Sequence, residues 1–304
     1  GESSVHDLIR KMIPDLESKG IITVSQGAKV IDLSDKDMPP AIIEKSDGAV
    51  MYASSDIATI LDRKTKFNPD LMLYVVDYRQ GLHFKQVFES ARRSGYLDDK
   101  HTAEHIAFGT MNGKDGKPFK TRSGDVVKLR DLINEMVEVI SQKSTIKDKK
   151  TIEKIAVACL KFADLINYRE SSYIFDMEQF TNFEGKTGAY ILYSLVRINS
   201  ILSSNDSFDY KITELKTKEE KDLAIELTRF PQTLKGAYDK RAPNYIAEYV
   251  YNLAKKFSGF YSACPINSET DKEYKKSKLS LIYLTKKYIE TCLYLLGIET
   301  VEKM

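Results

Sequence analysis

The sequence predicts an α/β fold for its first part and an all-α fold for the remainder. Up to about residue 128, strand-like runs alternate with runs whose apolar residues have helical spacing. The run Leu71–Val76 is apolar throughout, which is typical of a strand buried on both faces. From Leu129 onward only helical periodicity remains. We therefore expect a parallel sheet covered by helices in residues 1–128 and a helical bundle in residues 129–304.

The elements of the α/β part follow from periodicity and turn residues. Apolar spacing predicts helices at Ser4–Ser18 and Leu82–Ser94, and strand-like residues form His105–Phe108. Shorter strand signals flank the turn sequences Ser25-Gln26-Gly27 and Asp47-Gly48, and they cover Ile21–Val24, Lys29–Leu33, Ile42–Glu44 and Ala49–Ala53. Asp56 is predicted to be the N-cap of a helix over Ile57–Arg63.

The second part is predicted to consist of helices alone. Helical periodicity extends over Leu129–Ile140, Thr151–Tyr168, Thr187–Leu202, Lys218–Phe230, Pro243–Tyr261 and Glu273–Leu296. Pro231 and Pro243 mark helix ends or first turns, where a missing N–H is tolerated.

Composition narrows the class of protein. The net charge of +2 does not by itself indicate a nucleic-acid binder. Cys159, Cys264 and Cys292 lie far apart in the sequence, so we expect buried thiols in a reducing compartment rather than disulfides or zinc ligands. No apolar run approaches the roughly 20 residues that a membrane helix needs. We expect a cytoplasmic protein that does not bind a membrane.

Lysines gather at four places: Lys143–Lys154, Lys235–Arg241, Lys255–Lys256 and Lys272–Lys278. Acidic residues lie among them, so ordinary solvated helix faces are as good an interpretation as a nucleic-acid surface.

The loop Lys114–Gly124 has the composition of a phosphate-binding loop. It reads Lys-Asp-Gly-Lys-Pro-Phe-Lys-Thr-Arg-Ser-Gly and lies between a predicted strand and a predicted helix, where open α/β sheets bind ligands. Lys114, Lys117, Lys120 and Arg122 supply four positive charges that can stabilise a phosphate in a transition state. The loop lacks the Gly-Lys-[Ser/Thr] ending of a Walker motif. On composition alone, a solvated basic loop is the alternative.

A second group of polar residues is Tyr52, Asp56 and Gln80. Tyr52 and Asp56 lie four residues apart at a strand-to-helix junction, and Gln80 follows the strand Leu71–Val76. All three are expected at one edge of the sheet. A carboxylate there can bind a guanidinium bidentately, with a hydroxyl and an amide fixing its orientation. The alternative is an N-cap, a tyrosine at the edge of the core and a surface glutamine.

The four histidines and the tyrosines carry weaker signals. No two of His6, His83, His101 and His105 form a pair with metal-ligand spacing, and His83 is expected to be structural. Most of the 18 tyrosines follow residue 180, interleaved with lysines, a pattern that suits stacking on single-stranded bases. The alternative is a core role, because Tyr190 and Tyr193 have same-face helical spacing.

Six motifs occur in order along the chain. In the α/β part they are Gly1-Glu2-Ser3, Lys45-Ser46-Asp47-Gly48 through Tyr52-x-x-x-Asp56-Ile57-Ala58, Tyr74-Val75-Val76-Asp77-x-x-Gln80-x-x-His83-Phe84, and His105-x-x-Phe108-Gly109-x-Met111 with Gly116-Lys117-Pro118-Phe119-Lys120-Thr121-Arg122-x-Gly124. In the helical part they are Phe183-Glu184-Gly185-Lys186-Thr187-Gly188-Ala189-Tyr190-x-x-Tyr193-x-x-x-Arg197 and Leu295-Leu296-Gly297-Ile298-Glu299-x-x-Glu302-Lys303-Met304. Together they resemble the arginyl-tRNA synthetase family.

The resemblance implies a fold and a set of roles. Residues 1–128 would be the second half of a class I Rossmann-like catalytic domain, and residues 129–304 the helical tRNA stem-contact and anticodon-binding domain. The loop would be the family's Lys-Met-Ser-Lys-Ser loop, although Pro118 and Phe119 depart from its Met-Ser. The implied site residues are Tyr52, Asp56 and Gln80 for arginine; His105, Phe108, Met111, Lys117 and Lys120 for ATP, the two lysines being catalytic; and Tyr190, Tyr193, Tyr261 and Met304 for the anticodon loop.

The resemblance also implies the substrates, but the chain departs from the family in one motif. Arginine, its tRNA and ATP with Mg²⁺ would be the substrates, with no tightly bound cofactor and no metal ligand assignable from the sequence. The His-x-Gly-His motif of class I enzymes does not occur in the chain. We therefore expect the C-terminal portion of an arginine–tRNA ligase, monomeric in its full-length form and inactive as this chain alone. A truncated homologue that binds tRNA without charging it is the main alternative. A generic α/β phosphate-binding protein with a helical interaction domain is a weaker one.

Overall fold

The computed structural model describes residues 2–113, 115–117, 128–205 and 210–304 of the chain. They form two compact units, Gly1–Gly109 and Thr110–Met304. The first unit is α/β and the second is mainly helical, which confirms the predicted order of fold classes. The division between the units precedes Thr110, whereas the domain boundary that we expect at residue 128 stays a prediction.

The first unit begins with a helix and a small antiparallel sheet. Helix α1, His6–Ser18, follows a 3₁₀ turn and buries one apolar face that includes Met12 and Leu16. Strands β1 (Thr23–Ser25), β2 (Ala28–Ile31) and β3 (Ala41–Glu44) pair antiparallel in that order. Gly27 takes a φ of 78° in the β1–β2 turn, a conformation that glycine adopts without strain.

Helix α2, Tyr52–Phe67, begins earlier than predicted. The prediction that Asp56 is an N-cap is wrong, because Asp56 lies one turn inside the helix and Met51 precedes it in extended conformation. The strand predicted over Ala49–Ala53 is reduced to one bridge between Val50 and Glu44. The helix starts at Tyr52 because its buried stripe of Ala53, Ser54, Ile57, Ala58 and Ile60 has helical spacing from its first turn. The buried Ser54 hydroxyl also donates a 2.6 Å hydrogen bond to Ile43 O.

A β–α–β unit completes the first unit. Strand β4 (Leu71–Asp77) leads through a 3₁₀ turn into helix α3 (Gly81–Arg93), and strand β5 (Thr102–Phe108) pairs parallel with β4. The register places Tyr74 beside His105 and Asp77 beside Phe108. The two strands therefore end level with each other, as the predicted parallel sheet requires.

The two faces of β4 differ in burial. Met72 and Tyr74 are buried, and the Tyr74 ring packs against Phe84 of α3 at 5.2 Å between ring centres. On the opposite face Leu73 is 45% exposed and Val75 is 65% exposed. The prediction of a strand buried on both faces is therefore wrong, because α3 packs on the Tyr74 face and leaves these two side chains open.

The second unit contains eight described helices and a two-stranded sheet. The strands β6 (Met111–Asn112) and β7 (Tyr173–Ile174) pair parallel. The helices are α4 (Leu129–Lys143), α5 (Lys149–Leu165), α6 (Met177–Phe180), α7 (Gly188–Ser203), α8 (Lys218–Thr228), α9 (Phe230–Lys240), α10 (Asn244–Ala263) and α11 (Lys272–Leu295). Six of these helices are the predicted ones. Helix α6 and both strands were not predicted, because elements of two to four residues are too short to show a period. Helix α9 was not predicted either, although Pro231 lies in its first turn, one of the two positions expected for it.

The core of the second unit is formed where α5, α7, α10 and α11 pack together. Its largest fully buried side chains include Phe162, Phe257 and Phe260. The three cysteines are buried and free, as predicted, and burial raises the pKa of the Cys159 thiol to about 12. Among the helices that the structure describes, none is both long enough and apolar enough to cross a membrane.

Candidate functional site

The end of the β4–β5 pair carries the first group of candidate site residues. Asp77 and Phe108 are neighbours in the register at the carboxyl ends of the two strands. Ligands of α/β sheets bind at this edge, because the loops and helix N-termini that follow the strands converge there. Gln80 and His83 follow β4 directly, and α2 approaches them through Asp56.

Asp56 and His83 form a direct contact between α2 and α3. His83 Nε2 lies 2.7 Å from Asp56 Oδ2, and the two side chains are 29% and 32% exposed respectively. A carboxylate can only accept a hydrogen bond, so Nε2 is the donor. The structure therefore joins a residue predicted to bind arginine to a histidine that the sequence assigned no functional role.

The other two predicted arginine ligands lie within one helical turn of this contact. Tyr52 is the first residue of α2, one turn before Asp56, and is 70% exposed. Gln80 is exposed, three residues before His83, and its side chain makes no capping bond to α3. All three polar groups are thus accessible from solvent around the Asp56–His83 contact.

His105 is fixed beside the same edge. Its Nε2 lies 3.1 Å from Val76 O, and a carbonyl oxygen only accepts, so Nε2 carries the proton. The His105 ring stacks on Phe84 with 5.2 Å between ring centres. Phe84 in turn meets the His83 ring edge-on at 5.2 Å. A buried phenylalanine therefore holds the two histidine rings at the sheet edge.

Asp77 is a feature of this edge to which the sequence assigned no role. Arg79 donates from Nε to Asp77 Oδ1 and from Nη2 to Asp77 Oδ2, both at 2.8 Å. This fork of hydrogen bonds, together with the Arg79 backbone N–H, lowers the pKa of Asp77 to about 2. Asp77 is thus already bound by a guanidinium from its own chain, whereas Asp56 has no such partner among the residues that the structure describes.

The candidate ATP residues fall in both units. His105 and the partly exposed Phe108 lie in β5 of the first unit. Met111 lies in β6 of the second unit and packs against its helical core. Gly113 N–H donates to Lys117 O at 2.7 Å, Gly116 takes a φ of 73°, and Lys117 is exposed. Lys114 and residues 118–127, which include Lys120 and Arg122, lie outside the described residues.

Two of the candidate anticodon residues meet around an arginine of α7. The Arg197 guanidinium lies 4.7 Å from the centre of the Tyr193 ring and 5.1 Å from that of the Tyr261 ring. Arg197 Nη2 also donates a 2.6 Å hydrogen bond to Tyr193 OH. Tyr193 and Tyr261 are both about 40% exposed. We call Tyr193, Arg197 and Tyr261 the aromatic clamp.

Tyr190 lies one turn before Tyr193 on α7. Its ring lies 5.9 Å from that of Tyr251 on α10, and partial burial raises its pKa. Lys186 Nζ lies 5.5 Å from the Tyr251 ring centre and forms an ion pair with Glu248 at 2.7 Å. The aromatic surface therefore continues from the clamp towards the N-terminus of α7. Met304 is half-buried and packs against the helical core.

Two adjoining cavities open along α10, with volumes of about 450 and 530 Å³, and both are lined by Glu226, Arg229 and Asn252. Arg229 donates to Glu226 at 2.9 Å, and Lys256 donates to Asp222 at 3.0 Å. Much of the charge on these walls is therefore neutralised within the helices, and we place no site there. In the described part of the chain, no three His, Cys, Asp or Glu residues are grouped to hold a metal ion.

Comparison with known proteins assigns the family. Residues 1–177 match the family of class I tRNA synthetases described as "tRNA synthetases class I (R), catalytic domain". The chain belongs to this arginyl class I tRNA synthetase family. Residues 191–304 match the DALR anticodon binding domain. The predicted family and the predicted order of a class I catalytic region and a helical anticodon-binding domain are thereby confirmed.

Curated members of the arginyl synthetase family are similar along the whole chain. An arginine–tRNA ligase of Agathobacter rectalis is 41% identical, over 100% of this chain and 55% of its own length. An arginine–tRNA ligase of Francisella tularensis subsp. tularensis is also 41% identical, over 100% of this chain and 54% of its own length. The chain spans about half the length of the curated relatives it matches.

Solved structures of arginyl synthetases share the fold. Arginyl-tRNA synthetase from Plasmodium falciparum superimposes with a TM-score of 0.85 at 26% identity, over 100% of this chain and 54% of that chain. The Thermus thermophilus enzyme superimposes with a TM-score of 0.83 at 22% identity, over 99% of this chain and 59% of that chain. The second likeness supports the fold alone.

Proposed function

We propose that the chain provides the arginine-recognising wall, the pyrophosphate-binding loop and the anticodon-binding domain of a cytoplasmic arginine–tRNA ligase. The observation that carries the proposal is the Asp56 carboxylate. It stands at the carboxyl edge of β4 and β5, is one-third exposed, and forms no ion pair with a Lys or Arg in the described part of the chain. A carboxylate kept at a ligand-binding edge without a cation is suited to bind an incoming guanidinium.

In the arginine site, the guanidinium of the substrate pairs with Asp56. Tyr52 and Gln80 provide a hydroxyl and an amide within one helical turn, which suits them to orient the substrate. The Asp77–Arg79 pair at the end of β4 has the two-pronged geometry that a guanidinium and a carboxylate adopt. We infer that arginine binds at Asp56 because Asp77 is already occupied by Arg79.

In the first chemical step, a carboxylate oxygen of arginine attacks the α-phosphorus of ATP. The bond to the β-phosphate breaks, pyrophosphate leaves and arginyl-adenylate forms. Lys117 and Lys120 stabilise the negative charge on the leaving pyrophosphate. The backbone of His105, Phe108 and Met111 holds adenine. Mg²⁺ enters with ATP as part of the substrate, and we assign it no protein ligand among the described residues.

In the second step, a hydroxyl of the terminal ribose of tRNA attacks the acyl carbon, and AMP leaves. Tyr190, Tyr193, Tyr261 and Met304 contact the anticodon loop and so select the tRNA. Arg197 joins this set, because its guanidinium lies over both clamp rings and adds positive charge for the RNA backbone. We expect anticodon binding to contribute to the reaction through positioning of the tRNA.

The proposed activity requires more protein than this chain. The motif that supplies the class I histidines is not in the sequence, and Leu73 and Val75 leave an apolar sheet face open. We propose that the chain by itself binds ligands without turning them over, and that the full-length protein is a monomer with its functional boundary at residue 128.

Arginine titration of the chain, followed by NMR shifts of unit 1, tests the arginine site. We expect saturable shifts around α2 and α3 for the wild type and none for Asp56→Asn. Asp62→Asn is the matched control, because Asp62 lies on the same helix but pairs with Lys66 at 2.8 Å. Equal arginine binding by both variants would show that Asp56 is not part of the arginine site.

A pyrophosphate-exchange assay tests the proposed inactivity of the chain alone. Turnover in that assay would contradict it.

The aromatic clamp also favours a second function, tRNA binding without charging. In that case the chain would discriminate tRNAs with arginine anticodons from other tRNAs in gel shifts, but would show no response to arginine. Binding without any preference among tRNAs would contradict both anticodon assignments.

A further inference from the structure

We propose that His83 is a positioning residue for arginine recognition: it fixes the Asp56 carboxylate through one oxygen, Oδ2, and leaves Oδ1 for the guanidinium. The inference rests on the proposed arginine site and names the residue that sets its geometry. It starts from the 2.7 Å contact between His83 Nε2 and Asp56 Oδ2.

The first step concerns the free half of the carboxylate. Asp56 Oδ2 accepts from His83, and within the described residues Oδ1 accepts no hydrogen bond. An aspartate on a helix surface can rotate about two side-chain bonds, so an unanchored Asp56 would present many orientations. Anchoring one oxygen fixes the carboxylate plane and directs the other oxygen, which a guanidinium fork needs for binding.

The second step concerns charge. Asp77, at the carboxyl end of β4, is paired with Arg79. Arg63, which lies on α2 with Asp56, is held over the Tyr74 ring at 4.9 Å. His83 donates to Asp56 through Nε2 alone, so it orients the carboxylate with one hydrogen bond and does not occupy both oxygens as an arginine fork does. A lysine or arginine at residue 83 would orient the carboxylate but compete with the substrate.

The third step concerns the rigidity of His83 itself. Its ring lies edge-on to Phe84, which is 4% exposed and also stacks on His105. His105 is in turn bound to Val76 O on β4. The orientation of Asp56 is therefore fixed by a chain of contacts that ends in the sheet, and the site is formed before arginine arrives.

Side-chain length allows a sharp test. Glutamine places its amide nitrogen close to where His83 has Nε2, whereas asparagine reaches only the Nδ1 position. His83→Gln should therefore preserve the contact with Asp56, while His83→Asn and His83→Ala should lose it. The control is His101→Ala, because His101 also contacts an aspartate, Asp98, but lies at the amino end of β5, at the opposite edge of the sheet.

The measurement is the dissociation constant of the chain for arginine and for citrulline, in which a neutral urea replaces the guanidinium, by NMR titration to tens of millimolar. For His83→Ala and His83→Asn we expect arginine affinity to fall about tenfold, the loss typical of one hydrogen bond to a charged group, with citrulline little changed. His83→Gln should stay within about threefold of the wild type. His101→Ala should lower thermal stability and leave the arginine-to-citrulline ratio unchanged.

The outcomes separate the inference from the proposed function. The positioning role alone would be overturned if His83→Ala bound arginine with the affinity of the wild type. It would also be overturned if His83→Asn bound arginine as well as His83→Gln does. An equal loss for arginine and citrulline would indicate a purely structural role and would overturn it too. No arginine binding by the wild type would remove the arginine site and the inference together. The tautomer of His83, determined by NMR, is an independent check. A ring protonated on Nδ1 and not on Nε2 could not donate the hydrogen bond to Asp56.

Discussion

Arg197 contacts Tyr193 in two ways, since its guanidinium lies 4.7 Å from the ring centre and its Nη2 donates a 2.6 Å hydrogen bond to the hydroxyl. The residues are four apart on α7, so the contact is made within one helix. The same guanidinium reaches Tyr261 of α10 at 5.1 Å. One arginine therefore holds two exposed rings in fixed positions on neighbouring helices.

Replacing Arg197 should weaken tRNA binding more than the loss of one surface charge does. In Arg197→Ala, both rings lose the planar cation that orders them, so we expect affinity for tRNA to fall about tenfold at moderate salt. Arg197→Lys keeps the charge but not the planar fork and should lie in between. Gel-shift titrations measure the effect, with Arg92→Ala on α3 as a control for charge. If both alanine variants lost the same tRNA affinity, Arg197 would contribute only through its charge and not by ordering the two rings.

Gly188 is required where α7 packs against α5. A Cβ built on Gly188 would lie 2.5 Å from Ala158 O, a backbone atom that cannot move aside. We expect Gly188→Ala to destabilise the protein by about 1–3 kcal/mol, the usual cost of overpacking. Thermal or urea unfolding measures the change.

Gly259 is the matched control for Gly188, because it also lies inside a helix but its Cβ would meet no atom within 4 Å. Gly259→Ala should stabilise the protein by up to about 1 kcal/mol, because alanine favours the helix. Similar effects of the two substitutions would contradict the close α5–α7 packing.

The long elements were predictable from sequence because their signals are periodic. α3, α10 and α11 follow apolar stripes that extend over several turns, and their bounds lie within a few residues of the predicted ones. Asp56 was misplaced because its preference for an N-cap is one local signal. The buried stripe that begins at Ala53 outweighs it, since burial of several side chains contributes more than one cap.

The contacts of the candidate site were less predictable than its members. Asp56 and His83 are separated by 27 residues, and nothing in the spacing of either indicates that α2 and α3 bring them together. Arg197 and Tyr193 have a helical spacing of four, so that half of the aromatic clamp could have been found from sequence. Tyr261 could not, because its approach depends on how α7 and α10 pack.

Substitution of Glu220, in the first turn of α8, should strongly lower the stability of the protein. It is fully buried, and its carboxylate accepts hydrogen bonds from Lys216 N at 2.6 Å, Thr217 N at 3.0 Å and Tyr274 OH at 2.5 Å. Glu220→Ala leaves these donors without their acceptor, so we expect a loss of about 3 kcal/mol or more. Chemical unfolding measures it.

Glu219→Ala provides the comparison for Glu220, because Glu219 lies in the same first turn of α8 but is partly exposed. Its loss should cost less than about 1 kcal/mol, the usual size of a favourable charge near a helix N-terminus. If the two variants unfold at the same denaturant concentration, the Glu220 network does not stabilise α8 as its hydrogen bonds imply.

The Asp77–Arg79 pair should make part of the stability depend on acid pH. Folding lowers the pKa of Asp77 from 3.8 to about 2, mainly through the hydrogen bonds from Arg79. The folded state therefore binds fewer protons than the unfolded state between these values. The pair's contribution is complete above pH 3.8 and is lost as the pH falls from 3.8 towards 2. The melting temperature of Asp77→Asn should thus lie below that of the wild type at pH 7 and converge with it near pH 2.

Arg79→Ala should show the same dependence of melting temperature on pH. The double variant should be no less stable than either single variant, because both substitutions remove the same interaction. A difference in melting temperature that stays constant from pH 7 to pH 2 would contradict the assignment.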